Sequence, residues 1–319
     1  MSGRVGEIAA GRKCDTDQIA AGCKSGRARG YISDYRPYAK TRALLDQVQA
    51  VLDEYRQYWP LTCRQIFYRM VGAHGYDKSE SAYGRLCNHL ANARRARFIP
   101  FDAIRDDGVT TYRRDHFDDR DDFLRHVRSM GRRYTRNKLA SQELHIEVWC
   151  EAAGMLPQID DVSAPFSVRA YSSGGFDSLT AKKDLADRIV RIEKPAIILH
   201  LGDYDPSGVS IFDSVAQDVT AFVEADRPHG HVTVDFHRIA LTRAQVAEYD
   251  LPTAPAKAST HSKNWNGGTC QLEALPPNII ADILKEALWQ HIDPSQYLED
   301  CEAEKADREQ ITQLLLPAS

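Results

Sequence analysis

The stretch A-I-I-L-H-L-G-D-Y-D-P-S-G-V-S-I-F, from Ala196 to Phe212, decides how the second half of this chain folds. Ala196 to Leu201 is a short apolar run rich in isoleucine and leucine, bounded by Pro195 and Gly202. That length and those boundaries fit a buried parallel strand better than a helix. Asp203 and Asp205 follow, separated by one residue. Pro206 then falls at the first helical position, with Asp205 as its N-cap. The order is strand, carboxylates, helix start. It places both acids at the carboxyl end of a strand, where open α/β sheets build their sites.

Two carboxylates this close repel each other unless a cation neutralises them. Oxygen-only ligands suit magnesium, which takes one or two carboxylates and completes its shell with water and phosphate. On its own, the D-x-D spacing serves equally well to cap a turn and a helix. The full string G-D-Y-D-P-S-G after an apolar strand is more specific. It resembles the acidic motif of Toprim domains, above all the D-x-D-P-x-G form in the A subunit of topoisomerase VI and its meiotic double-strand-break relatives. The resemblance implies a magnesium site acting on DNA phosphates.

Working outward, strands and helices alternate. Leu144 to Glu151 (L-H-I-E-V-W-C-E) reads as a strand ending in an acid, and Val168 to Tyr171 as a second. Ser178 to Ile192 is helical, Ser207 to Glu224 is helical, and His231 to Ile239 is a further strand. Such alternation predicts a parallel α/β sheet. A long loop carrying Pro252 and Pro255 follows, and Q-L-E-A-L-P-P-N-I-I-A-D-I-L-K-E-A-L supplies a short strand or turn and a helix. From Asp293 onward the chain is helical and highly charged.

Toward the N-terminus, Leu44, Leu45, Val48, Val51, Leu52 and Tyr55 recur at helical spacing. Pro60 ends that helix. Thr62 with Gln65 forms a capping-box signature for a second helix. Ser79 caps a third, running through Leu86 and Leu90 to Arg97. Gly108 to Tyr112 reads as the tip of a β-wing. Three helices and a wing describe a winged-helix module. Arg94, Arg95 and Arg97 at the end of its third helix suit phosphate contact, and equally suit a solvated basic helix end. Residues 113–138 are dense in both charges, with Phe117, Phe123, Leu124 and Val127 on one face. They are read as an exposed, salt-bridged helix joining two domains. His116 and His126 are read as surface histidines.

The predicted organisation is therefore a basic arm over 1–40, a winged-helix DNA-binding domain over 41–138, and a Toprim-type, Rossmann-like parallel α/β domain over 139–319 with a helical C-terminal extension. Three acids stand at strand ends of that last domain. Toprim domains hold magnesium with one glutamate and then D-x-D, which maps onto Glu151, Asp203 and Asp205. Glu147 is the poorer match because it lies inside the strand. Ala152 and Ala153 stand where relatives commonly carry a lysine, a departure from the family pattern.

R-Q-I-F-Y-R in the second helix resembles the R-D-I-[FY]-Y stretch of topoisomerase VI A subunits. The family's DNA-cleaving tyrosine maps onto Tyr68 and its arginine onto Arg64. Four residues apart, they share a helix face. A tyrosine hydroxyl, ordinarily titrating near 10, needs activation before it is a nucleophile, and a guanidinium can stabilise the phenolate and clamp the phosphate. Taken alone, Phe67 and Tyr68 read as core aromatics and Arg64 as a surface residue.

The resemblance, to the short stand-alone Mini-A type, covers about Thr41 to Leu288. It implies a Mg2+-dependent tyrosine transesterase that cleaves double-stranded DNA through a 5′-phosphotyrosyl link. It further implies a homodimer with tyrosine and acids contributed by opposite subunits. An ATPase B subunit, if needed, is a separate chain. The alternatives are a Toprim metal-dependent DNA nuclease using water, as in plasmid defence, and a non-catalytic DNA-binding protein.

Composition narrows the setting. The 319 residues suffice for two domains, and 43% hydrophobic with 27% charged residues is ordinary for a globular chain. The net charge of −4 argues against a uniformly basic nucleic-acid coat but permits a local basic face. No uninterrupted apolar run reaches membrane-spanning length, and the N-terminus lacks a signal peptide's apolar segment. The expected setting is the cytoplasm of a prokaryotic host, at the nucleoid or encoded by a phage or plasmid. Seven cysteines without a C-x-x-C pattern read as reduced thiols.

Overall fold

The central strand forms where the apolar run predicts it, over Ala196–Leu201, and every one of its residues is buried. The structure, a computed structural model, describes residues 31–105, 116–172, 179–227, 232–256, 265 and 267–315. The proposed wing at Gly108 to Tyr112 lies outside the described residues, as does all of the basic arm before residue 31.

In chain order the first part holds α1 (Ala39–Glu54), β1 (Leu61–Thr62), α2 (Cys63–His74), α3 (Glu80–Arg95) and β2 (Ile104–Arg105). The charged segment contributes α4 (Arg120–Arg132). The second part holds β3 (His145–Cys150), α5 (Leu156–Ser163), β4 (Arg169–Ser172), α6 (Leu179–Ile192), β5 (Ala196–Leu201), α7 (Pro206–Asp226) and β6 (Val234–Ala240). It ends with α8 (Arg243–Glu248), β7 (Ala254–Pro255), β8 (Gly268–Thr269), α9 (Pro277–Trp289) and α10 (Pro294–Leu314). The protein is mixed α/β with parallel strands.

The main sheet has the order β4-β3-β5-β6, and all its pairings are parallel. From β3 the chain steps outward to β4, then returns to lay β5 and β6 on the other side of β3. The order therefore reverses between β3 and β5. In open α/β sheets the crevice beyond the strand ends at such a point is where ligands bind. Glu151 follows β3 and Asp203 follows β5, so the reversal brings these acids to one crevice.

Each sheet face is covered. Leu185 and Ile189 of α6 and Val215, Val219 and Val223 of α7 pack on Ile198 and Trp149. On the other face, α5 and α9 pack on Val148 and Leu199, and this core continues without a break into α1, α2 and α3. Burial on both faces explains why β3 lacks a clean alternation of burial.

Local signals set the helix starts. Thr62 and Gln65 form the capping box of α2, with the Gln65 amide donating to Thr62 Oγ1 at 3.1 Å. Ser79 caps α3 through the Ala82 amide. Asp205 caps α7 through Gly208, with Pro206 in the first turn. α4 packs on α10, where Gly131 admits Leu315 and Ile311; a Cβ at Gly131 would come within 2.6 Å of Leu315 Cδ1. Lys138 pairs with Glu304, and Arg136 with Asp300 at 3.1 Å, along the same seam. Phe123 and Leu124 of the expected apolar face remain exposed.

Part of the expected long loop after Leu251 is ordered as the antiparallel pair β7–β8. β1 and β2 pair in parallel, Leu61 opposite Ile104. No described helix is long and apolar enough to cross a membrane.

Candidate functional site

Glu147, inside β3, is held structurally. Its carboxylate receives Arg188 at 3.0 and 3.2 Å and the Trp149 indole N–H at 3.0 Å. Glu151, at the strand's end, is oriented toward the neighbouring turn instead. Its Oε2 accepts the Asp203 amide at 3.0 Å. Asp203 Oδ1 accepts the Leu272 amide at 2.9 Å, and Asp205 Oδ1 accepts the Gly208 amide at 2.7 Å. Each acid is thus pinned through one oxygen by a backbone N–H.

Two glycines permit this crowding. A Cβ at Gly208 would stand 2.9 Å from the Asp203 carbonyl, 3.2 Å from Glu151 Oε2 and 3.4 Å from Asp205 Oδ1. Gly208 therefore marks where the Glu151 and Asp205 carboxylates and the Asp203 backbone converge. A Cβ at Gly202 would lie 2.7 Å from Glu151 Oε2 and 2.6 Å from His200 Cε1. Burial and then the nearby Arg238 push His200 down to about 3, leaving it a neutral ring against Phe212.

Burial, followed by Asp203, raises the Glu151 carboxyl above its usual range. Asp203 is also raised, by burial first and then by Asp205, against the Leu272 hydrogen bond. The acids share a cation that sequence reading missed. Arg238 of β6 donates to the carbonyls of Asp203, Gly208 (3.4 Å) and Leu241 (3.3 Å). It stands just before a register shift in the β5–β6 pairing, the kind of irregularity that re-aims a side chain. The chain thus carries a basic group near its acids without a lysine beside Glu151.

Arg64 and Tyr68 face the same place from α2. Arg64 Nη1 donates to Gln271 Oε1 at 2.6 Å, and the Tyr68 hydroxyl donates to the same oxygen at 2.7 Å. The Arg64 guanidinium lies 5.2 Å from the centre of the Tyr83 ring. Tyr68 is only 6% exposed. Its hydroxyl is held well above the ordinary tyrosine value by burial, then by Cys270, with Glu273 and Asp203 adding and Arg64 opposing.

Gln271 and Glu273 were not singled out in the sequence, where Q-L-E-A-L reads as a short strand or turn. Glu273 is 9% exposed, and burial followed by Asp203 pushes it up to about 7. The available signal was an acid enclosed by Leu272, Ala274 and Leu275, all fully buried.

Two adjoining cavities share Arg64, Tyr83, Asp203 and Gln271. The larger, about 790 Å³, is bordered by Glu151, Glu273, Arg94 and Arg105. The smaller, about 660 Å³, is bordered by Tyr68, Lys78 and Asp205. A single chain therefore brings the tyrosine, its arginine and the three acids to two cavities with a common wall, whereas the resemblance implied a tyrosine and acids from opposite subunits. The three arginines at the end of α3 diverge. Arg94 is buried, stacks 5.7 Å from Phe101 and lines the larger cavity. Arg95 is half-buried, and its carbonyl accepts the Ile32 amide. Arg97 is exposed in a left-handed conformation (φ 61°), 4.4 Å from the Tyr31 ring. Arg105, not picked out beforehand, lines the larger cavity from β2.

Among the described residues, no three His, Cys, Asp or Glu side chains form a group able to hold a metal unaided. Magnesium does not require such a cage, since it keeps several waters and borrows substrate phosphate. The clustered carboxylates of Glu151, Asp203 and Asp205, each with one oxygen pinned by a backbone N–H and the other left over, form an oxygen donor set that fits such an ion. Comparisons with known protein families, curated proteins and solved structures found no match.

Proposed function

We propose that this protein is a magnesium-dependent, DNA-cleaving tyrosine transesterase of the topoisomerase VI A type, with winged-helix and Toprim modules, working as a homodimer on double-stranded DNA. The observation that carries the reading is the shared cavity wall. Tyr68, Arg64 and the acids Glu151, Asp203 and Asp205 come from distant parts of the sequence and border two cavities that have Arg64, Tyr83, Asp203 and Gln271 in common. The motifs G-D-Y-D-P-S-G and R-Q-I-F-Y-R support it from the sequence side.

Each residue then has a task. Arg64 and Arg94 present guanidinium groups that suit phosphate oxygens, and Arg105 extends the same basic wall. Tyr68 gives up its hydroxyl proton to water as Oη attacks phosphorus, and the bond to the 3′ oxygen breaks as the phosphotyrosyl bond forms. Glu273, pushed up to about 7, can hold or release a proton near neutrality, as proton transfer to a leaving hydroxyl requires. The free oxygens of Glu151, Asp203 and Asp205 would hold Mg2+, which when bound offsets charge developing on the phosphate and leaving oxygen. The arginine rim gives a local basic face despite the acidic net charge. An ATPase partner would be a separate chain.

One observation favours a second reading. The Tyr68 hydroxyl is a donor in a buried bond, and its surroundings disfavour the phenolate. In a Toprim nuclease, water would attack and Tyr68 would only pack and hold Gln271. Incubating the protein with duplex DNA and magnesium, then denaturing, separates the two. Protein covalently attached to DNA 5′ ends, lost in Tyr68→Phe, is expected for the transesterase. Robust cutting by Tyr68→Phe with protein-free ends would refute that role and establish the nuclease. Asp203→Asn should lose cleavage by either route, and full cleavage in excess chelator would remove the metal from both.

A further inference from the structure

A single side-chain oxygen joins the helix of Tyr68 to the loop of acids. Gln271 Oε1 accepts from both the Tyr68 hydroxyl at 2.7 Å and Arg64 Nη1 at 2.6 Å, which uses both of its lone pairs. The backbone carrying it is tied to the acid loop on either side. Cys270 exchanges two hydrogen bonds with Tyr204, at 2.8 and 2.9 Å. The Leu272 amide donates to Asp203 Oδ1 at 2.9 Å. The acid loop itself therefore sets where this oxygen stands.

Two chemical consequences follow. A guanidinium can meet a phosphate through two parallel bonds, and the anion adds a Coulomb attraction that a neutral amide oxygen lacks. A phosphate arriving at Arg64 would outcompete the amide. An amide oxygen, in turn, is no base. It holds Tyr68 as a neutral donor, and a phenolate oxygen facing Oε1 would set two acceptors against each other. The arrangement seen here is closed, with Tyr68 protonated and Arg64 occupied.

We propose that Gln271 is a positioning residue that latches Tyr68 and Arg64 to the acid loop of their own chain, and that a DNA phosphate opens the latch by taking Arg64 from it. This rests on the reading above that phosphate binds at Arg64. Entry of substrate and freeing of the tyrosine then become one event, which would keep the site idle without DNA.

The test is binding of a labelled linear duplex by fluorescence anisotropy in chelator, where no cleavage intervenes. Gln271→Leu removes the competing acceptor and should tighten binding about fivefold. Gln271→Glu replaces a neutral partner with a charged one and should weaken it by a similar factor. In an Arg64→Ala background both effects should vanish, because the latch acts through Arg64. Gln271→Met serves as a second release variant, and thermal melting confirms that each protein is folded. Unchanged affinity in the Gln271 variants, with Arg64→Ala weakened, would overturn the latch alone. So would Gln271 effects that persist without Arg64. If Arg64→Ala binds as tightly as wild type, both the latch and the placement of phosphate at Arg64 fall.

Discussion

Replacing Glu273 by glutamine should make the protein more stable at alkaline pH, by an amount the site geometry allows to be worked out. The folded carboxyl is raised from 4.5 to about 7, by burial first and the neighbouring Asp203 second. The unfolded chain releases this proton at the ordinary value. Between those two points the folded state binds more protons, so its stability falls as pH rises through the window. The displacement is worth about 3 kcal/mol at about 1.4 kcal/mol per pH unit. That is a large share of a typical stability of about 5–15 kcal/mol. Glutamine keeps the shape and carries no charge. Urea denaturation of both proteins, in chelator at about pH 5 and about pH 8, brackets the change. Wild type should lose about 2.5 kcal/mol more than Glu273→Gln across that interval, which begins above the unfolded value. Glu151 and Asp203 titrate with the same sign and remain in both proteins, so the difference reports Glu273 together with its coupling to them. Equal pH dependence in the two proteins would refute the burial of a strained carboxyl here.

Further expectations follow from the same contacts. Gly208→Ala puts a methyl 2.9 Å from the Asp203 carbonyl, so it should cost roughly 1–3 kcal/mol and displace the acids. Cleavage should fall with it, and unchanged cleavage would show that the acids tolerate separation. Arg188→Met leaves the buried Glu147 with only His145 and the Trp149 indole and should cost about 2–3 kcal/mol in equilibrium unfolding. Adding Glu147→Leu should recover much of that, and no recovery would mean the pair is not the cause. Thr62→Ala removes the cap of α2 and should cost about 1 kcal/mol. If the cap also aims Arg64, DNA affinity should drop in the same variant.

The strand–acid–helix unit was legible because every signal in it is local. Ala196–Leu201 is buried on both faces and so reads as an unbroken apolar run, and Asp205 and Pro206 cap and start α7 through contacts within three residues. The capping box of α2 and the position of Glu151 at the end of β3 were readable for the same reason. What joins these pieces was not local. Gln271 reaches Tyr68 across 203 positions of sequence, and Arg238 reaches the Asp203 carbonyl across 35. Neither residue carries a periodicity or a cap that announces it. Glu273 looked like an ordinary glutamate, and only enclosure beside Asp203 changes its proton affinity. Arg94, Arg95 and Arg97 read as one basic cluster, yet packing buries the first against Phe101 and sets the last against Tyr31. Sequence alone determined the long helices, the four strands of the main sheet and which side chains stand at their ends, but not α5, α8 or the short pairs β1–β2 and β7–β8. The tertiary structure decided which of those ends meet, because the reversal of strand order between β3 and β5, and the packing of α2 on residues 272–274, are long-range contacts that no local pattern encodes.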